Sequence, residues 1–310
     1  MKVVISEFMD APAVALVGQH HEVRYEPDLV DRREALKAAL VDAAALIVRN
    51  RTQVSAELLA AAPRLRVVGR LGVGLDNIDV AGCRALGIEV IPASGANALA
   101  VAEYVIGTAM LLLRGAYAAT TDVASGAWPR QALSAGRELH GKTLGVVGFG
   151  GIGRLVARLA RGLGMRVIGF DAKVSAADPA WRDEGVESRT LDALLAQADV
   201  LTLHVPLLPA TRNLIDATAL GAMKPGAILI NTARGGVVDE AAVAAALASG
   251  RLGGAALDVF EREPLGAGSP LAGAPNLILT PHIAGVTAES NERVSAMIAE
   301  RVIESLAART

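Results

Sequence analysis

Gly148-Phe149-Gly150-Gly151-Ile152-Gly153 is a G-x-G-x-x-G run, and its surroundings decide the fold. It directly follows an apolar stretch of strand length, 143–147, and opens a segment with apolar Ile152, Leu155, Val156 and Leu159 at helical spacing. In such a strand–turn–helix unit Gly148 permits the tight turn, Gly150 lets the backbone approach a pyrophosphate, and Gly153 lets the helix pack closely on the strand. The free N–H groups and positive dipole end of that helix, around Gly151 and Ile152, then face the anion. Asp171 ends the next apolar run about 20 residues on, where a carboxylate accepts hydrogen bonds from the adenosine ribose hydroxyls. An acid there repels a 2′-phosphate, and Ala172-Lys173 offers no arginine to receive one, so NAD is expected rather than NADP. An isolated match of this kind also fits a glycine-rich turn with no ligand, and the full unit also fits NAD-binding regulators that catalyse nothing.

Outward from this run, strand-like stretches recur near 143–147, 166–170, 200–204, 227–231, 254–257 and 277–279. Six strands with intervening helical patterns make a doubly wound sheet. The first hundred residues hold a second series, with strands expected at 3–6, 22–25, 45–49, 67–70 and 88–91 and helices such as 31–40 and 55–61 between them. The segment 98–124 is helical in pattern and reads as a bridge, and a last helix near 289–307 has no sheet of its own and is expected to return to the first domain. The chain is therefore expected to form two α/β, doubly wound domains: 1–97 plus 286–310, and 98–285.

Composition narrows the function. The 310 residues carry 30 Lys and Arg against 32 Asp and Glu, a formal charge of −2, so no basic field suggests a nucleic-acid or membrane partner. A single cysteine, Cys83, cannot make an intramolecular disulfide and has no partners at metal-ligand spacing, so no metal and a cytoplasmic location are expected. Glu7 and Asp10 interrupt the start where a signal peptide needs an apolar core. The most apolar run, 98–113, contains Glu103, is shorter than the roughly 18 residues of a membrane span, and reads as a buried helix. Cys83 and the histidines His20, His21 and His140 are assigned to surface or packing roles.

A nicotinamide site that reduces a 2-keto acid needs a group to hold the carboxylate, one to polarise the carbonyl and one to exchange a proton with the oxygen. Three late segments meet these needs. Asn231-Thr232-Ala233-Arg234-Gly235-Gly236 places an arginine beyond a strand; Asp258-Val259-Phe260-Glu261-Arg262-Glu263-Pro264 places acids beyond another; Thr280-Pro281-His282 places a histidine beyond the last. Singly, Arg234 reads as well as a helix cap or surface ion pair, Glu263 as a solvated acid and His282 as a packing residue. Their joint placement at strand carboxyl ends, the ligand edge of an open α/β sheet, carries the argument.

With Gly72-Val73-Gly74-Leu75-Asp76-Asn77-Ile78-Asp79, Val101-Ala102-Glu103 and the glycine run, these segments make the chain resemble the D-isomer-specific 2-hydroxyacid dehydrogenase family over essentially its whole length. The resemblance implies a Rossmann NAD-binding domain at 98–285, a flavodoxin-like substrate domain from 1–97 and 286–310, and an active site in the cleft. It implies that Arg234 binds the substrate carboxylate and carbonyl, that His282 is the general acid/base, and that Glu263 holds the imidazole and favours its protonated form. Asp258 is expected by the nicotinamide carboxamide, Thr232 and His204 along the cofactor, and the N–H groups of Val73 and Gly74 on the substrate carboxylate. A homodimer built through the nucleotide domains, with 98–124 near the interface, is implied as well.

Within the family the first domain most resembles the catalytic part of 3-phosphoglycerate dehydrogenases, through Arg49-Asn50-Arg51-Thr52-Gln53-Val54 and the stretch from Val67 to Gly74. Arg49 and Arg70 match the arginines that grip a distal phosphate there, so a 2-hydroxy acid with a second anion, such as 3-phosphoglycerate, is the expected substrate. Either arginine also fits a surface ion pair. The chain stops near Thr310, so a short form without the regulatory domain of many phosphoglycerate dehydrogenases is expected. Sulfolactate dehydrogenase and glyoxylate/hydroxypyruvate reductase are the alternatives within the family, and an NAD-sensing, corepressor-like regulator the alternative outside catalysis.

Overall fold

The structure is a computed structural model that describes residues 1–308. The chain divides into two compact units, one formed by residues 1–97 with the C-terminal stretch from 286, the other by residues 98–285. Positions 309 and 310, which the expected range 286–310 includes, lie outside the described residues.

The first unit is a five-stranded parallel sheet of β1 (Lys2–Ile5), β2 (Glu22–Tyr25), β3 (Ala43–Val48), β4 (Val67–Arg70) and β5 (Glu89–Pro92), in the order β2-β1-β3-β4-β5. This is the flavodoxin-like order. All six residues of β3 are buried, as expected of a central parallel strand covered on both faces. Alternate residues feed opposite cores: Val3, Ile5 and Ile47 meet Ile298 and Val302 of the helix Ala288–Ala307, whereas Val4, Leu46 and Val48 meet Leu36, Leu58 and Leu59 on the other side. The last helix thus packs on the first sheet.

The second unit is a seven-stranded parallel sheet of β6 (Thr143–Val147), β7 (Arg166–Phe170), β8 (Glu187–Ser188), β9 (Val200–Leu203), β10 (Ala227–Asn231), β11 (Leu252–Leu257) and β12 (Leu277–Leu279). The order β12-β11-β10-β9-β6-β7-β8 reverses direction between β6 and β9, the position where doubly wound sheets open a crevice for a dinucleotide. The sequence pattern predicts six strands here; the seventh, β8, pairs with β7 through two residues, too short to leave any periodicity.

The segment 98–124, expected to be helical, is so in three pieces. The helix Ala98–Arg114 ends at Gly115, whose φ of 67° lies in the left-handed region, and a 3₁₀ turn (Ala116–Ala119) and a short helix (Thr120–Ala124) follow. The alanine-rich sequence continues the helical pattern across the break and so hides it. Among the described residues no single helix is long and apolar enough to cross a membrane.

Candidate active site

The glycine run lies between β6 and the helix Gly151–Gly162, as its sequence context requires. Gly148 has φ +96°, and a Cβ there would run into the His204 carbonyl; a Cβ on Gly153 would run into the Gly148 carbonyl. These two glycines are needed by the fold itself. Gly150 and Gly151 differ: a Cβ on either would meet nothing within 4 Å, so the space beside them suits a close ligand rather than internal packing. No side chain caps the helix at Gly150, which leaves its first N–H groups for an anion. Ile152 is half-buried in the first turn of that helix.

Asp171, just past β7, accepts Phe149 N–H at 2.7 Å and Lys173 N–H at 2.7 Å. It thereby ties the glycine turn to the neighbouring strand, and each oxygen keeps a lone pair for a ribose hydroxyl. Thr232, beyond β10, has a buried Oγ1 without a hydrogen-bond partner among the described residues, an unmet donor and acceptor on the same edge. His204 follows β9 with Nε2 3.0 Å from Thr202 Oγ1, and burial pushes its imidazole down to about 4, so it is neutral at physiological pH. The open glycines, the uncapped helix end and the orphaned Thr232 hydroxyl together fit a dinucleotide.

At the carboxyl ends of β11 and β12, His282 Nδ1 and Glu263 Oε2 lie 2.8 Å apart. The other Glu263 oxygen accepts Phe260 N–H at 3.0 Å, which fixes the carboxylate. An ionised carboxylate can only accept, so Nδ1 carries the donated proton and Nε2 is left to exchange one with a ligand. The His282 side chain keeps 45% of its surface exposed, enough for a substrate to reach it.

His282 has φ 56°, in the left-handed region, where a non-glycine residue costs on the order of 1–2 kcal/mol. The Asp258 residue compensates. Its backbone carbonyl accepts His282 N–H at 2.8 Å, and its buried carboxylate accepts Ile283 N–H and Ala284 N–H, each at 2.8 Å, and the Thr280 hydroxyl at 2.6 Å. Tyr104 Oη lies 2.6 Å from Thr280 Oγ1, and its phenol is pushed above its ordinary range, chiefly by burial. Asp258 thus straps down the loop that presents the histidine.

Arg234 sits half-buried beyond β10, where Nη1 donates to the Ala233 carbonyl at 2.6 Å and its own carbonyl accepts from Asn231 Nδ2 at 3.0 Å. Its loop packs directly on the Glu263 loop, because a Cβ on Gly235 would overlap the Phe260 carbonyl. Three adjacent strands therefore deliver Arg234, Asp258 with Glu263, and His282 to one edge of the second sheet.

The first unit has its own set at the carboxyl ends of β3 and β4, which run side by side with Val48 opposite Arg70. Arg70 folds over the glycine loop, with Nε donating to the Gly74 carbonyl at 2.9 Å and Nη1 to the Leu71 carbonyl at 2.7 Å; Val73 of that loop is exposed. Arg49 is half-buried. Its Nη2 donates to Asn291 Oδ1 at 2.7 Å, its guanidinium lies 5.8 Å from the centre of the Phe8 ring, and desolvation pushes its pKa down. Among the described residues no carboxylate forms an ion pair with it.

Sequence reasoning missed Glu7, Asn291 and the Tyr104–Thr280 contact. Buried Glu7 receives the N–H groups of Arg49 at 2.8 Å, Thr52 at 2.9 Å and Arg51 at 3.1 Å. An acid immediately after an apolar strand was the available signal for it. Asn291 has none, because it lies one turn into a helix among other polar residues. Among the described residues no group of three or more His, Cys, Asp and Glu could hold a metal ion. Cys83 is fully buried.

Set beside known proteins, residues 106–284 match the family described as D-isomer specific 2-hydroxyacid dehydrogenase, NAD binding domain. The (S)-sulfolactate dehydrogenase of Chromohalobacter salexigens is 55% identical over 307 residues, 99% of this chain and 99% of that protein. The D-3-phosphoglycerate dehydrogenase of Mycobacterium bovis is 43% identical over 98% of this chain but only 57% of its own length. Among solved structures, the TT0316 protein from Thermus thermophilus has a TM-score of 0.89 at 33% identity, covering 99% of this chain and 97% of that one.

Proposed function

The chain belongs to the D-isomer specific 2-hydroxyacid dehydrogenase family and is an NAD-dependent oxidoreductase, and from that premise we propose that its substrate is a 2-hydroxy acid with a distal anion, a sulfonate ahead of a phosphate. The observation that carries this reading is Arg49: a half-buried cation at a strand carboxyl end, hydrogen-bonded to an amide and lying over an aromatic ring, with Glu7 acting on it only through space and, among the described residues, no carboxylate bonded to it. Such a charge is costly without an anion, and a doubly charged substrate supplies one. The likeness to a sulfolactate dehydrogenase over nearly the whole chain favours sulfonate.

The roles follow from the chemistry of each group. Val73 and Gly74 offer backbone N–H groups to the substrate carboxylate, and Arg70 shapes their loop through the Leu71 and Gly74 carbonyls. Arg234 presents its planar fork to the carboxylate and C2 oxygen. His282 Nε2 exchanges a proton with that oxygen while Glu263 fixes the ring by its Nδ1. Gly148, Gly150, Gly151, Ile152, Gly153, Asp171, His204, Thr232 and Asp258 belong to the edge that holds NAD, which when bound donates or accepts hydride at C2. A homodimer through the 98–285 unit, supported by the exposed Tyr117 and Trp128, and a cytoplasmic location belong to the same reading.

The test is a panel of sulfolactate, 3-phosphoglycerate, glycerate and lactate, each with NAD and with NADP. The expected result is a kcat/KM for sulfolactate or 3-phosphoglycerate at least about tenfold above glycerate, a difference of about 1.4 kcal/mol, with NAD preferred. Equal or better turnover of glycerate or lactate removes the distal anion from the proposal.

A further inference from the structure

The way Arg49 is held points to a residue that no motif marks. The guanidinium has only donors, so the Asn291 amide must turn its oxygen toward Nη2, as the 2.7 Å contact requires. The Asn291 Nδ2 group is then left beside the arginine with two N–H donors and no protein acceptor among the described residues. Phe8 covers the guanidinium without neutralising it. Glu7, the nearby carboxylate, has both oxygens turned to the backbone N–H groups of residues 49, 51 and 52 and acts on Arg49 only through space, an effect smaller than the desolvation of the guanidinium.

Asn291 is also held firmly in place. It directly follows the capping box in which Thr287 and Ser290 exchange hydrogen bonds, at 2.8 and 3.0 Å. The same helix start is pinned by Arg293 Nε on the Ala96 carbonyl at 3.0 Å and by Ser295 Oγ, which accepts Asp10 N–H at 3.1 Å. A rigid helix terminus therefore sets the direction of a long, otherwise mobile arginine.

We infer that Asn291 is the positioning residue that sets selectivity for the distal anion: its neutral oxygen aims Arg49 while leaving the full positive charge for the substrate, and its Nδ2 donates to the same anion. The inference rests on the reading that Arg49 receives a distal anion. An aspartate at this position would be nearly identical in shape but would pair with Arg49 and repel the substrate's second charge.

The experiment compares wild type with Asn291→Asp, Asn291→Ala and Arg49→Ala on sulfolactate and on glycerate with NAD, with thermal midpoints measured alongside. Asn291→Asp should lower the sulfolactate-to-glycerate ratio of kcat/KM at least 30-fold, through the sulfolactate KM rather than kcat, with a thermal midpoint at or above that of wild type. Asn291→Ala keeps the arginine's charge but loses its aim, and should lie between wild type and Asn291→Asp. An unchanged ratio in Asn291→Asp alongside a lowered ratio in Arg49→Ala overturns the role of Asn291 and leaves the distal anion standing. An unchanged ratio in Arg49→Ala removes both. An equal loss on both substrates with a lowered midpoint in both Asn291 variants assigns the residue to stability alone, and also overturns the inference.

Discussion

The carboxyl edges of the two sheets use one device for two purposes. In the first unit a buried acid after β1, Glu7, gathers three backbone N–H groups and so shapes the loop that carries Arg49. In the second a buried acid after β11, Asp258, gathers two N–H groups and a hydroxyl and shapes the loop that carries His282. In both cases a carboxylate that would be costly to bury is satisfied by the backbone it organises. The partners of the presented side chains differ. His282 meets a carboxylate, Glu263, while among the described residues Arg49 is hydrogen-bonded to an amide, lies over a ring and feels Glu7 only through space. Under the proposed roles, the proton-exchanging group has a carboxylate hydrogen-bonded to its ring, and the anion-binding group has, among the described residues, no carboxylate bonded to it.

The contrast breaks most visibly in kinetics. His282→Ala removes the proposed proton-exchanging group and should lower kcat by about 10²–10⁴-fold with little change in KM, whereas Arg49→Ala should raise the KM for sulfolactate and leave kcat nearly intact. Steady-state kinetics in both directions separate the two. A large loss of kcat in Arg49→Ala would mean that the edges do not divide the labour between chemistry and recognition.

The two straps come next in size. Glu7→Gln and Asp258→Asn each turn one acceptor into a donor facing backbone N–H groups, and each should cost roughly 1–3 kcal/mol of stability, read from urea midpoints. The kinetic consequences should diverge: Asp258→Asn frees the strained His282 backbone and lowers kcat, while Glu7→Gln loosens the Arg49 loop and raises the sulfolactate KM. If both variants lose only stability, the acids are structural and the parallel ends there.

Much of this was legible because parallel strands are apolar on both faces. The continuous runs at β3, β6 and β10 announced the sheets, and the carboxyl ends of the strands at β10, β11 and β12 marked Arg234, Asp258 and His282 in the sequence itself. The part that stayed hidden depends on contacts between distant residues. Asn291 approaches Arg49 across 242 positions, and Tyr104 approaches Thr280 across 176, with nothing local to mark either partner. Glu7 was visible only as an acid that interrupts an apolar start, because its function is to accept N–H groups from a loop 42 to 45 residues away. The two-residue β8 and the break at Gly115 were lost for the opposite reason: one has too little pattern, the other too much.

The smallest expected effect refines the comparison within the second unit, where recognition is built by leaving side chains out. Gly150→Ala adds a methyl group into space that the protein does not fill, so the unfolding midpoint without NAD should stay within about 1 °C while NAD binds roughly tenfold more weakly. Gly153→Ala pushes the same methyl group into the Gly148 carbonyl and should lower the midpoint with or without NAD. Calorimetric titration with NAD beside thermal unfolding distinguishes them. Equal destabilisation by both would place Gly150 in the packing of the turn and take away the open space on which the fit to a dinucleotide partly depends.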